Sequence, residues 1–148
     1  MTATAPALAG RSYDDIAVGE VLPELAIPLT RTLIVATAIA TRDFQDVHHD
    51  PELARERGSK DVFMNILTSN GLAGRFVTDW AGAFATVRRV KIRLGAPNYP
   101  GDTMTMTGEV VSAENGIVEV RVQGANSLGT HLSGTVTVAY PAAEGRHA

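Results

Sequence analysis

From Val87 to Tyr140 the chain alternates apolar and polar residues in four short segments, each parted from the next by turn-forming residues. In Val87–Leu94 the residues Val90, Ile92 and Leu94 share one face, opposite Arg89, Lys91 and Arg93. Thr103–Val111 sends Met104, Met106 and Val110 one way and Thr103, Thr105 and Thr107 the other. Ile117–Gln123 sets Val118, Val120 and Val122 against Glu119 and Arg121, and Leu132–Tyr140 repeats the pattern through Val136 and Val138. A period of two is that of a strand with one buried face. Asn115-Gly116 fits a two-residue hairpin turn, and Ser127-Leu128-Gly129 a second turn. Four successive antiparallel strands therefore need an apolar element to cover one side.

The preceding residues supply it. A helix is predicted from about Ile66 to Ala81, ending near Gly82, with Asn70, Gly71, Ala73 and Gly74 in its middle. Each interior glycine costs a helix about 1 kcal/mol relative to alanine, and close approach of the sheet is the expected gain. Asp50-Pro51-Glu52 reads as an N-cap, a first-turn proline and an acid, opening a helix that stops at Gly58 after Arg55 and Arg57. Thr30 or Thr32 caps a short helix running to about Thr41, with Leu33, Ile34, Ala38 and Ile39 at helical spacing. Val18 to Leu29 holds Pro23 and Pro28 and so reads as an edge strand or an extended lead-in; Arg42 to His49 reads as a loop. The order gives an α+β class, a curved antiparallel sheet wrapped around one central helix. One domain is expected over 16–141, between loose tails at 1–15 and 142–148.

With 148 residues, 45% of them hydrophobic, the chain is long enough for one sizeable core. A net charge of -3 provides no basic footprint for nucleic acid or anionic lipid, so neither is an expected partner. The absence of cysteine excludes disulfides and thiolate metal sites, and no metal is expected. No basic segment precedes an apolar run at the start, and no stretch is long and apolar enough to span a bilayer. A cytoplasmic location is the expectation.

Asp43 and His48 lie on one predicted loop, in Thr41-Arg42-Asp43-Phe44-Gln45-Asp46-Val47-His48-His49-Asp50. A carboxylate and an imidazole can hold one water between them, the minimum for general acid–base chemistry. On spacing alone, an Asp and a His in a polar loop are more often capping or surface groups.

Asp43, His48, Asp50 and Pro51 resemble the signature of MaoC-like acyl dehydratases, and Tyr99-Pro100-Gly101-Asp102-Thr103 resembles the Pro-Gly-Asp turn that opens a strand in that family. The similarity runs from about Val18 to Tyr140. Gly58-Ser59-Lys60-Asp61, Asn65-Ile66-Leu67-Thr68 and Thr78-Asp79-Trp80-Ala81-Gly82 resemble more narrowly the small catalytic subunits of heteromeric steroid side-chain enoyl-CoA hydratases from cholesterol-degrading bacteria. Three positions depart from the general pattern: Arg42 for a glycine, Gln45-Asp46 for Asn-Pro, and Met64-Asn65 for His-Gly. They reshape the pocket wall, away from an ordinary short-chain substrate, and retain the Asp and the His.

The resemblance implies a hot-dog fold and a hydro-lyase that adds water to a 2-enoyl thioester of a steroid side chain, with Asp43 and His48 activating the water. The helix start at Asn65 and Ile66 is then the candidate site for the thioester oxygen, since it offers unpaired amides and a positive dipole end. CoA enters as substrate, and no cofactor is implied. Arg89, Lys91 and Arg93 are candidates for the CoA phosphates, although a solvated strand face explains them too. Lys60 is a comparable candidate, as is Arg75. His49 reads as a solvated neighbour of the site, Asp50 as a helix cap, Asp46 as solvent-exposed, Met104 and Met106 as core, and Trp80 as packing.

The resemblance further implies a second MaoC-like subunit in a heterotetramer, through which a thiolase-like aldolase is linked. The competing expectations are an (R)-specific fatty enoyl-CoA hydratase homodimer and a non-catalytic hot-dog partner subunit. A thioesterase is disfavoured, because the helix offers only Asp79, near its C-terminal end.

Overall fold

The computed structural model describes residues 10–141. In chain order these form β1 (Leu25–Pro28), α1 (Arg31–Ala40), α2 (Pro51–Glu56), α3 (Ile66–Ala81), β2 (Thr86–Leu94), β3 (Thr103–Glu114), β4 (Ile117–Asn126) and β5 (Gly129–Ala139). The five strands make one antiparallel sheet in the order β1-β3-β4-β5-β2. Its apolar face packs on α3, as expected for a hot-dog fold.

The alternation decides which side faces the helix. Met104, Met106, Val110, Val118, Val120, Val122, Val136 and Val138 are all buried, against Leu72, Ala73, Phe76 and Val77 of α3. Glu114 pairs with Ile117 across Asn115 and Gly116, whose φ angles of +52° and +78° are those of a primed hairpin turn. Asn126 pairs with Gly129 across Ser127 and Leu128. β3 and β4 run three residues beyond the alternating segments, and β5 begins three residues before its segment and ends one residue short of Tyr140. Ladder pairing continues past β-bulges at Val110/Ser112 and Gly124/Ala125, where the side-chain alternation slips.

The close approach expected at the helix glycines occurs elsewhere. A Cβ on Gly71 would touch nothing within 4 Å, and one on Gly74 only a Val90 methyl at 3.9 Å. The tight positions lie on the sheet. A Cβ on Gly108 would stand 2.8 Å from the Phe76 ring, and one on Gly124 would stand 2.9 Å from the Met106 sulfur. Gly108 thus makes the recess into which the helix inserts the Phe76 ring.

Of Val18 to Leu29 only Leu25–Pro28 is strand, on the sheet edge, and Val21 adds one isolated bridge to Glu109. Within the stretch read as an N-terminal tail, Tyr13–Asp15 forms a 3-10 turn and Arg11 pairs with Glu20 and lies over the Trp80 ring. Residues 1–9 and 142–148 lie outside the described residues. Among those described, no helix is long and apolar enough to cross a membrane.

Candidate active site

Helix-end geometry places Asp43. Thr30 caps α1 through Leu33 N–H at 3.0 Å. The helix closes with Arg42 N–H on Ile39 O at 3.0 Å and Asp43 N–H on Ala38 O at 2.9 Å, the paired bonds of a Schellman end. That end needs a left-handed residue, and Arg42 supplies it at φ +58°. Asp43 is therefore held by main-chain bonds at the base of α1.

His48 is placed by the next turn. Asp46–His48 is a 3-10 turn, and Asp50 then caps α2 by accepting from Glu52 N–H at 3.0 Å and Leu53 N–H at 3.1 Å. The His48 ring is buried, edge-on to Phe63, and its Nδ1 donates to Phe63 O at 2.7 Å. A carbonyl can only accept, so Nδ1 carries a proton; whenever the ring is neutral, Nε2 presents a lone pair. That Nε2 stands 3.5 Å from Asp43 Oδ2, too far for a strong direct bond. Two acceptors at this separation can each receive one hydrogen of a shared water.

Asn65 completes the arrangement. It caps α3, with its side-chain oxygen accepting from Thr68 N–H at 3.1 Å and from the Thr68 hydroxyl. Its side-chain nitrogen donates to Asp43 Oδ2 at 3.1 Å and to Thr41 Oγ1 at 2.9 Å. The Asn65 side chain is fully used in this way, so it orients the carboxylate and is not free for a thioester oxygen. The Ile66 amide, in the first turn of α3, has no partner among the described residues.

These groups open on a cleft of about 410 Å³, lined by Asp43, Gln45, Val47, His48, Phe63, Met64, Ile66, Leu94, Gly95, Pro97 and His131. Phe44, Ile66 and Leu67, beside Asp43 and the helix start, remain 64%, 51% and 49% exposed. The cleft thus has catalytic-type polar groups at its floor and an uncovered apolar rim.

The other candidates lie outside it. Arg89, Lys91 and Arg93 stand exposed on the outer face of β2, and none forms an ion pair among the described residues. Lys91 and Arg93 border a separate groove of about 470 Å³ with Ser133 and Thr135. Lys60 lies 5.7 Å from the Tyr99 ring centroid, beside another groove that includes Asp102. Arg75 and Asp79 pair with each other at 3.3 Å on the exposed side of α3. His49 is half-buried, with Nδ1 unpartnered. Asp46, expected to be solvent-exposed, is instead half-buried and paired with Arg57 at 2.8 Å, because the 3-10 turn folds it toward α2. Trp80 packs as expected and donates to Glu20 at 3.0 Å.

Sequence reasoning missed His131. It is buried on the far wall of the cleft, with Nδ1 2.6 Å from Ala96 O and Nε2 2.8 Å from Ser69 Oγ. Burial pushes its pKa below the ordinary imidazole value, opposed in part by the bond to Ala96. No motif surrounds it, and only the folding of β5 against α3 brings it to the site.

The family model described as MaoC like domain matches residues 16–131, most of the chain. The chain belongs to the MaoC-like family. A relative in Mycobacterium tuberculosis, the 3-oxo-4,17-pregnadiene-20-carboxyl-CoA hydratase beta subunit, is 54% identical over 119 residues, covering 80% of this chain and 92% of that protein. The crystal structure of the ChsH1-ChsH2 complex from Mycobacterium tuberculosis matches with a TM-score of 0.82 and 51% identity, over 84% of this chain and 98% of that one. The R-hydratase PhaJ1 of Pseudomonas aeruginosa shares the fold, with a TM-score of 0.79 at 19% identity over 87% and 84% of the two chains. This MaoC-like chain is a hydro-lyase.

Proposed function

We propose that the chain is the catalytic subunit of a heteromeric enoyl-CoA hydratase that adds water to the 2-enoyl thioester of a steroid-derived side chain. The observation that carries the reading is the convergence of Asp43 Oδ2 and His48 Nε2 at 3.5 Å, with the His48 Nδ1 proton already given to Phe63. The 54% identity to a protein named as a pregnadiene-carboxyl-CoA hydratase subunit supports the substrate class.

In this reading a water donates one hydrogen to Asp43 and one to His48. Its oxygen bonds to the β-carbon as one base takes a proton, and the π electrons move onto the thioester oxygen. The Ile66 amide and the dipole of α3 receive that charge. The proton taken from the water then returns from the dyad to the α-carbon, on the face where the oxygen was added. Water and enoyl thioester are thereby joined with nothing left over, and no cofactor is needed beyond the CoA of the substrate.

The exposed rim of Phe44, Ile66 and Leu67 supports a site completed by another subunit. A second, different MaoC-like chain fits this role, given the likeness to a chain from a two-component complex. Such a partner would in turn link to a thiolase-like aldolase that takes the hydrated product. Lys60, Arg89, Lys91 and Arg93 are the cations proposed for the CoA phosphates, and the cytoplasm is the proposed location.

The test is hydration of a steroid enoyl-CoA by the chain co-purified with its hydratase-like partner. Asp43→Asn and His48→Gln should each lower kcat at least about 100-fold, within the range for loss of a general base. Unchanged rates in both variants would remove the proposed chemistry. A chain that purifies as an active homodimer and prefers crotonyl-CoA would assign it to fatty enoyl-CoAs instead. Mutation of the dyad without effect on a fully active complex would leave it a scaffold.

A further inference from the structure

The two walls of the cleft come from parts of the chain far apart in sequence. One wall is the first turn of α3 with His48 and the Asp43 carboxylate that Asn65 orients; the other is 94–97, which begins at the last residue of β2. The second wall is zipped to β5 by Gly95 N–H on His131 O at 2.7 Å and Ala96 N–H on Thr130 O at 2.8 Å. The fit is close, since a Cβ on Gly95 would stand 2.5 Å from Thr130 O. Main-chain bonds thus tie the wall to β5, and a further tie has to reach α3.

His131 is the side chain that makes it. Its Nδ1–H donates to Ala96 O at 2.6 Å, which fixes the tautomer and leaves Nε2 as an acceptor. Ser69 on α3 has one hydroxyl proton and two acceptors in reach, His131 Nε2 at 2.8 Å and Asn65 O at 3.3 Å. The Asn65 carbonyl already receives Ser69 N–H at 3.2 Å, so the shorter contact takes the hydroxyl proton. Both ring nitrogens are consumed, and the imidazole is 2% exposed. Such a ring transfers no proton to a substrate.

Resting on the hydratase reading above, we propose that His131, acting through Ser69, is a positioning residue for hydration: the Ala96–His131–Ser69 chain sets the distance between the 94–97 wall and the α3 turn that carries Asn65 and Ile66. A loosened brace lets α3 shift against the wall, and Asp43 follows because Asn65 holds it. The effect falls on alignment in the transition state more than on substrate capture.

The test uses the chain with its partner subunit and a steroid enoyl-CoA. Ser69→Ala and His131→Phe should each lower kcat about tenfold with KM within about twofold, and the double variant should be no worse than the weaker single. His131→Gln, which keeps one donor and one acceptor, should recover most of the rate. Wild-type kcat in folded Ser69→Ala, or losses that multiply in the double variant, would overturn the brace; Ser69→Ala still reads it if His131→Phe does not fold. Independently of activity, ¹⁵N resonances should find the His131 ring neutral and protonated at Nδ1 at pH 7. The Nε2–H tautomer would overturn the brace alone. The expected tautomer in a wild-type complex without hydration would overturn the hydratase reading, and with it the role of the brace.

Discussion

Asn65, the N-cap of α3, donates from its side-chain nitrogen to Asp43 Oδ2 at 3.1 Å, so the start of the central helix and the end of α1 are joined through the carboxylate proposed to hold the water. One residue thereby caps the start of a helix and orients a reacting group. Asn65→Ala removes both functions. The loss of the cap is expected to lower stability by about 1 kcal/mol in urea unfolding. Release of the carboxylate should also lower kcat about tenfold or more. Asn65→Ser, which can still cap, separates the two: it should recover stability and leave kcat low.

Arg42 sits at φ +58°, where a β-carbon is crowded against the backbone and glycine is at ease. The resemblance to MaoC-like sequences places a glycine at this position. Arg42→Gly is expected to change stability by about +0.5 to +1 kcal/mol, the relief of left-handed strain exceeding the entropy gained by the unfolded chain. Chemical denaturation of the two forms measures it; a destabilised variant would mean that the Arg42 side chain contributes more than its backbone costs.

Gly108 leaves the space that Phe76 fills. Gly108→Ala puts a methyl 2.8 Å from that ring and 3.1 Å from Arg121 O, in a strand whose main chain cannot retreat. A loss of about 1–3 kcal/mol is expected from overpacking. Gly71→Ala, on the exposed side of α3 with open space around it, should instead stabilise by about 0.5–1 kcal/mol. Thermal melts of the pair test whether the sheet or the helix carries the close approach.

Burial holds the His131 pKa below its ordinary value of 6.5, with the Ala96 bond opposing in part. As pH falls through 6.5 the unfolded chain takes up a proton that the folded chain still refuses, so the unfolded form gains. Stability attributable to this residue is present above that pH and is lost progressively below it, until the folded form also protonates. Melting temperatures should therefore decline from pH 7 toward pH 5. The decline should be shallower in His131→Phe, whatever that variant's stability at pH 7. Equal slopes in the two proteins would show that His131 is not the group responsible.

Local chemistry was legible in the sequence wherever neighbours along the chain decide the outcome. The alternation fixes which side of each strand is buried, Asn115-Gly116 makes its hairpin because both residues tolerate positive φ, and Asp50-Pro51 and Gly58 bound α2 through their own caps. Asp43 and His48 stood out only through the resemblance to MaoC-like acyl dehydratases, since a shared loop by itself fits capping or surface roles. What needed the folded chain was every relation between distant segments. The Asn65 side chain turns to Asp43 across 22 positions, His131 reaches Ser69 across 62, and the tight glycines prove to be on the sheet rather than in the helix. Periodicity records only whether a side chain points inward. Which partner it meets there depends on how the sheet bends over α3, and that is settled by packing of the whole core.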